Sequence, residues 1–149
     1  MRQVRPENPA KTYLSRYRAL AKQQESLRRA IEEAYMRACN VTQQIKAVNV
    51  QGGGAKDKIA EDVARIADAA EQLREMKGRV DVALSEILDA IQAVPDEMQR
   101  SVLLLRYVEG LDWISIADRI GYEISQTYIY HGRALWTVKR WLEDAAKTS

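Results

Sequence analysis

Two long runs of regularly spaced apolar residues constrain this chain more than any other feature. Tyr13, Tyr17, Leu20, Gln24, Leu27, Ile31, Ala34, Ala38, Val41, Ile45 and Val48 follow one another at intervals that alternate four and three, with Gln24 the one clearly polar occupant. Ile59, Val63, Ile66, Ala70, Leu73, Lys77, Val80, Leu84, Ile87, Ile91 and Val94 repeat the pattern, with Lys77 the polar exception. An interval averaging 3.5 residues returns to one side of an α-helix turn after turn, so each run predicts a long helix with a single apolar seam. A helix of about 40 residues spans about 60 Å.

Asn49 to Lys56 separates the runs and holds three consecutive glycines, Gly52–Gly54. Glycine is costly inside a helix, so residues 50–56 are read as a loop, with Asp57 capping the second helix. Asn8 and Pro9 suit an N-cap and first turn, after a basic lead over residues 1–8. Helices at about 9–49 and 57–94, nearly equal in length and joined by a short loop, predict an antiparallel coiled-coil hairpin over residues 1–94. Charge agrees. Residues 1–56 hold 11 Lys/Arg against 4 Asp/Glu, and residues 57–94 hold 5 against 9. The basic face along Arg16, Arg18, Lys22, Arg28, Arg29 and Arg37 is read as complementing the acidic helix. A two-helix seam buries little, and Ala30, Tyr35, Met76, Ala83 and Leu88 widen both stripes, so the hairpin is expected to form a homodimer as a four-helix bundle.

Composition fits an all-α protein: 7 Gly, 3 Pro and no Phe leave long uninterrupted helix-forming stretches. No apolar run approaches the roughly 18 residues that span a bilayer, and Met1–Pro9 does not lead into a signal-peptide core. The expectation is a cytoplasmic protein with no membrane partner. A single Cys excludes an internal disulfide. Cys39, beside the seam, reads as a small apolar filler.

The last third changes character. Pro95, Asp96 and Glu97 begin a helix that directs Met98, Val102, Leu105 and Val108 inward and ends at Gly110. Asp112 caps a second helix, whose apolar face is Ile114, Ile116, Ala117 and Ile120. Ala117 is small where another helix must cross, and Gly121 four residues on permits a positive φ. A polar and aromatic helix comes next. Helices at about 96–109, 112–120 and 124–145 make residues 95–149 a helix-turn-helix domain. Trp113, Trp136 and Trp141 are assigned to its core; Tyr128 and Tyr130 are allowed to be exposed. The domain is not basic: residues 95–149 hold 7 Lys/Arg against 8 Asp/Glu.

Residues 98–140 resemble region 4 of the sigma-70 family, the module that reads the upstream promoter element. The likeness lies in Val102-Leu103-Leu104-Leu105-Arg106-Tyr107-Val108-Glu109-Gly110-Leu111, in Ile116-Ala117 and Ile120-Gly121, and in Arg133-Ala134-Leu135. The stretch His131-Gly132-Arg133-Ala134-Leu135 is similar to phage and prophage proteins of late-gene regulator type, which carry a long helical N-terminus before a region-4-like end. The resemblance covers about a third of the chain. It implies a transcriptional regulator whose partners are double-stranded DNA and RNA polymerase. A complete sigma factor is not implied, because nothing resembles the other sigma regions.

In such motifs the second helix enters the major groove. The positions read as outward on it are Ile124, Ser125, Gln126, Tyr128, Ile129 and Gly132, with Thr127, His131, Ala134, Val138 and Trp141 inward. Gln126 suits an adenine edge, Ser125 suits bases or phosphate, and Tyr128 and Ile129 suit thymine methyls. Arg119, Arg133, Lys139 and Arg140 are candidate phosphate clamps. Sigma factors place charged readers here, and this sequence departs from that. His131 stands where region 4 usually has Leu and reads as a partly buried, hydrogen-bonded side chain.

Two other classes share this outline: a phage terminase small subunit, and a protein-binding adaptor that docks polymerase through a degenerate helix-turn-helix. Catalysis, cofactors and metals are not expected. The glycines at 52–54 lack the Gly-Lys-Ser/Thr of a phosphate loop. One His and one Cys give no usual metal-ligand spacing. Asp68, Glu71 and Glu75 form an exposed stripe, not a catalytic pair.

Overall fold

A computed structural model describes residues 7–48 and 53–148, with side chains over 7–40 and 57–148. Among the described residues the protein is all-α, with no strand. Its helices are α1 (Pro9–Val48), α2 (Gly53–Gln92), α3 (Glu97–Leu103), α4 (Trp113–Ile120) and α5 (Ile124–Thr148), and a π turn, Leu104–Val108, extends α3.

Local chemistry sets most of the helix ends. The Asn8 side chain accepts from the Ala10 amide at 3.0 Å and opens α1 at Pro9. Asp96 caps α3 by accepting from the Gln99 amide, and Asp112 caps α4 by accepting from the Ser115 amide. Gly110 closes the π turn and Gly121 closes α4, both at φ 76, where a side chain would be strained. The start of α2 departs from the sequence reading. Gly53 to Lys56 lie inside the helix, so the loop does not extend over 50–56 and Asp57 is not a cap. The cost of such an extension is about 1 kcal/mol per glycine. Residues 49–52, and the basic lead over 1–6, lie outside the described residues.

Two compact units divide the chain: Leu20–Arg79, and Met1–Ala19 together with Val80–Ser149. In the first, the α1 seam at Leu20, Gln24, Leu27, Ile31, Ala34 and Ala38 is half-buried, as the heptad reading expects, and so are Ala21, Glu25 and Cys39 beside it. The α2 seam holds at Ile59, Ile66, Ala70 and Leu73, which are half-buried, and fails at Val63 and Lys77, which are exposed. Asp62, Ala69 and Met76, one position earlier on the helix, are half-buried as well, so the shielded stripe is broader than a single heptad seam. Charge pairing is local: Arg28 bonds Glu25 and Glu32, and Arg29 bonds Glu25, all on α1. The Arg28 guanidinium holds the Glu25 carboxyl down at about 2. No described side chain of this unit is fully buried.

The second unit contains the core. A sequence boundary at Val94 separates residues that pack together here. Ala10 and Leu14 of α1 and Ile87, Ala90, Ile91 and Val94 near the end of α2 share one cluster with Leu103, Tyr107, Ala134, Leu135 and Val138. Tyr13 donates to the Glu86 carbonyl, and Arg16 reaches the Glu86 carboxylate at 2.6 Å. The helix ends complete the C-terminal domain because α3 and α5 alone leave an apolar face open. At the α2–α3 junction, Arg100 donates to the Val94 carbonyl at 2.8 Å and the Pro95 carbonyl at 3.1 Å.

A second cluster joins Val102, Leu105 and Ile116, with Leu111, Trp113, Ile120 and Tyr130 packed against it. The π turn serves both clusters. The Glu109 amide bonds the Leu104 carbonyl five residues back, which widens the turn. Leu103 and Tyr107 face the first cluster while Val102 and Leu105 face the second. The sequence reading directed Met98, Val102, Leu105 and Val108 inward and missed Leu103 and Tyr107, which lie on the adjacent face and are buried by α1, α2 and α5.

Candidate nucleic-acid interface

α4 and α5 are joined across Gly121, Tyr122 and Glu123. The amides of Gly121 and Tyr122 both return to the Ala117 carbonyl, at 3.0 and 3.1 Å, so the chain reverses as soon as α4 ends. The Thr127 hydroxyl, fully buried, donates to the Glu123 carbonyl at 2.9 Å and secures the first turn of α5. Ile116 and Ala117 face inward, and Ala117 permits close packing. Ile114, assigned to the same apolar face, is 70% exposed. It lies two residues before Ile116, about 200° around the helix, and cannot share a face with it.

An aromatic group braces the pair. Trp113 packs on His131 (ring centroids 4.5 Å apart) and on Tyr128 (5.0 Å). The Arg106 guanidinium covers the Trp113 ring at 4.7 Å and donates to the Leu111 carbonyl at 3.0 Å. Tyr107 bonds His131 Nε2 at 2.7 Å. Burial, with Lys11 and Arg106 nearby, pushes the imidazole down to about 4, and burial pushes the Tyr107 phenol up to about 12. The imidazole is therefore held neutral, and the bond runs from the phenol to Nε2 or from Nε2–H to the phenol oxygen according to the tautomer. His131 is the partly buried, bonded side chain that its position in α5 predicts.

Of the eight candidate contact residues, Ser125, Tyr128, Ile129, Arg119, Arg133, Lys139 and Arg140 are exposed, and Gln126 is half-buried. They do not form one surface. Ser125, Ile129, Arg133 and Arg140 project from the same side of α5, since their spacing of four, four and seven keeps a helical face. Tyr128 turns toward Trp113 instead. Arg119 lies on α4, with its guanidinium 3.8 Å from Glu109, so it is not an unpaired cation.

Trp136 corrects the sequence reading most sharply. Assigned to the core with Trp113 and Trp141, it is 60% exposed. Ala134, Leu135 and Val138 occupy the inward face of this turn, leaving residue 136 outside. Arg140, one turn on, places its guanidinium 5.0 Å over the Trp136 ring. The outward face of α5 thus reads Ser125, Ile129, Gly132, Trp136 and Arg140, with Arg133 at its flank.

Charge is also sorted. From Ile124 to Leu142, α5 carries Arg133, Lys139 and Arg140 and no acidic residue. All three are exposed. Of the acids that make the C-terminal region nearly neutral, Asp96, Glu97, Glu109, Asp112, Asp118 and Glu123 precede α5, and Glu143 and Asp144 follow Leu142 in its last turns. A regional charge count concealed a cationic helix face.

Among the described residues, no three His, Cys, Asp or Glu side chains gather as a metal-binding group, and no helix is long and apolar enough to cross a membrane. Comparison with known protein families, with curated proteins and with solved structures finds no match.

Proposed function

We propose that this chain is a non-catalytic, DNA-binding transcriptional regulator of the phage type to which its C-terminal sequence bears a resemblance. One observation carries the reading: α5 follows α4 across a tight glycine turn and presents an outward face whose only charges between Ile124 and Leu142 are basic. Duplex DNA offers a phosphate lining for Arg133, Lys139 and Arg140, and base edges for Ser125 and Ile129. Trp113, Tyr107 and His131 brace α5 from behind. Such bracing suits a helix that must hold its register against a groove.

The chain acts as a homodimer in this proposal. The unit Leu20–Arg79 buries no described side chain fully and exposes Tyr35, Met36 and Val63 at 56–59%. A second copy would cover them. Sedimentation at micromolar concentration is expected to give the mass of two chains, and Tyr35→Glu with Met36→Glu to shift it toward one. A wild-type monomer removes this part of the proposal.

Anisotropy titration of duplex fragments from the source genome, at two salt concentrations around the physiological range, tests the function. Saturable binding that persists at the higher salt on some fragments supports a sequence-specific regulator. No binding at either salt refutes it. RNA polymerase enters only as a second partner, and co-purification on a DNA-silent chain would favour the adaptor instead.

A further inference from the structure

We infer that α5 meets duplex DNA by its middle, with Gly132 at the point of closest approach and Trp136 as a contact residue that holds Arg140 ready for a phosphate. The inference rests on the proposed DNA binding and replaces insertion of the first turn of α5 with docking along its length.

The outward stripe from Ser125 to Arg140 is about 22 Å long at 1.5 Å per residue. A major groove is about 12 Å wide, so a straight helix of that length lies along it and touches best at its midpoint. Gly132 is at that midpoint. Nothing lies within 4 Å of where its Cβ would be, and its φ is not in the left-handed range, so the fold does not require glycine there. Glycine inside an exposed helix costs about 1 kcal/mol against alanine. What the bare backbone provides is a shallow gap between Ile129, 46% exposed, and Trp136, 60% exposed, one turn to either side.

Electrostatics favour the same docking. The exposed carboxylates Asp118 and Glu123 stand before the first turn of α5, where they oppose phosphate. Arg133, Lys139 and Arg140 lie at and beyond the middle, and the exposed Glu143 and Asp144 bound this cationic segment on its far side, so phosphate is favoured only between the two acidic ends. Stacked on Trp136, the Arg140 guanidinium loses less side-chain freedom when it binds than an unsupported arginine would. The apolar stripe between cations matches a duplex, which presents thymine methyls between two phosphate rows.

Gly132→Leu is the decisive substitution, because it fills open space and replaces a poor helix former. Its melting temperature is expected to equal or exceed that of the unsubstituted chain, while affinity for a labelled duplex of about 20 base pairs, two helical turns, falls at least tenfold. Arg140→Ala is expected to lower the slope of log affinity against log salt by about one. Trp136→Ala should lower it equally, Trp136→Phe should largely restore it, and the Ala double variant should lose no more than either single. If the unsubstituted chain binds the duplex and Gly132→Leu binds within twofold of it, this inference falls and DNA binding stands. If Trp136→Ala leaves the salt slope unchanged, the positioning role of Trp136 falls. No binding by the unsubstituted chain removes the DNA reading and this inference together, and an acidic protein helix becomes the partner that fits the face.

Discussion

Gly110 and Gly121 share a φ of 76 and differ in what surrounds them. A Cβ on Gly121 would meet open space, whereas one on Gly110 would collide with the Arg18 guanidinium. Gly121→Ala is therefore expected to cost about 1 kcal/mol from backbone strain alone. Gly110→Ala should cost about the same 1 kcal/mol, because the Arg18 guanidinium is the far end of a flexible side chain and can swing aside. Denaturant melts give both numbers; a larger cost at Gly110 that Arg18→Ala relieves would refute the expectation that the guanidinium moves freely. His131 sets a pH dependence. Its folded value near 4 lies below the ordinary 6.5, so the folded state binds fewer protons. The contribution is full above pH 6.5 and is lost as pH falls toward 4. His131→Gln, which does not titrate, should flatten the fall in melting temperature across that window. An unchanged slope would show that His131 is not responsible.

At the scale of elements, α4 and the π turn depend on one narrow crossing. Ala117 is buried at the turn into α5, so Ala117→Glu forces an unpaired charge there and should cost about 3 kcal/mol or more. Circular dichroism and the Trp113 fluorescence should lose a cooperative transition together; normal melting would refute the crossing. Arg100 secures the other junction. Arg100→Ala leaves the carbonyls of Val94 and Pro95 without their cation and should cost about 2 kcal/mol. Caps and glycines at these ends were legible in the sequence, because each acts over three or four residues. The π turn was not. Its signature is a bond from the Glu109 amide five residues back to Leu104, which no local propensity encodes.

For the whole molecule, the C-terminal helices are not a domain apart. Leu14 is fully buried against residues from α2, the π turn and α5, and Tyr13 meets Trp141 edge-on at 6.4 Å. Leu14→Ala should cost about 3 kcal/mol, and the loss should appear in the melting of the C-terminal helices. Were the boundary at Val94, that transition would not move. By itself the sequence determined the helical class, the α1 seam, the caps at Asn8, Asp96 and Asp112, and the glycine turn at 121, because periodicity and capping act within a few residues. Tertiary structure alone decided that α2 starts at Gly53, that Asp62 and Met76 rather than Val63 and Lys77 are shielded on it, and that helix ends more than 70 residues apart share a core. It also turned Trp136 outward. Those outcomes depend on which face a neighbour covers, and apolar positions on adjacent faces look alike until that neighbour is in place.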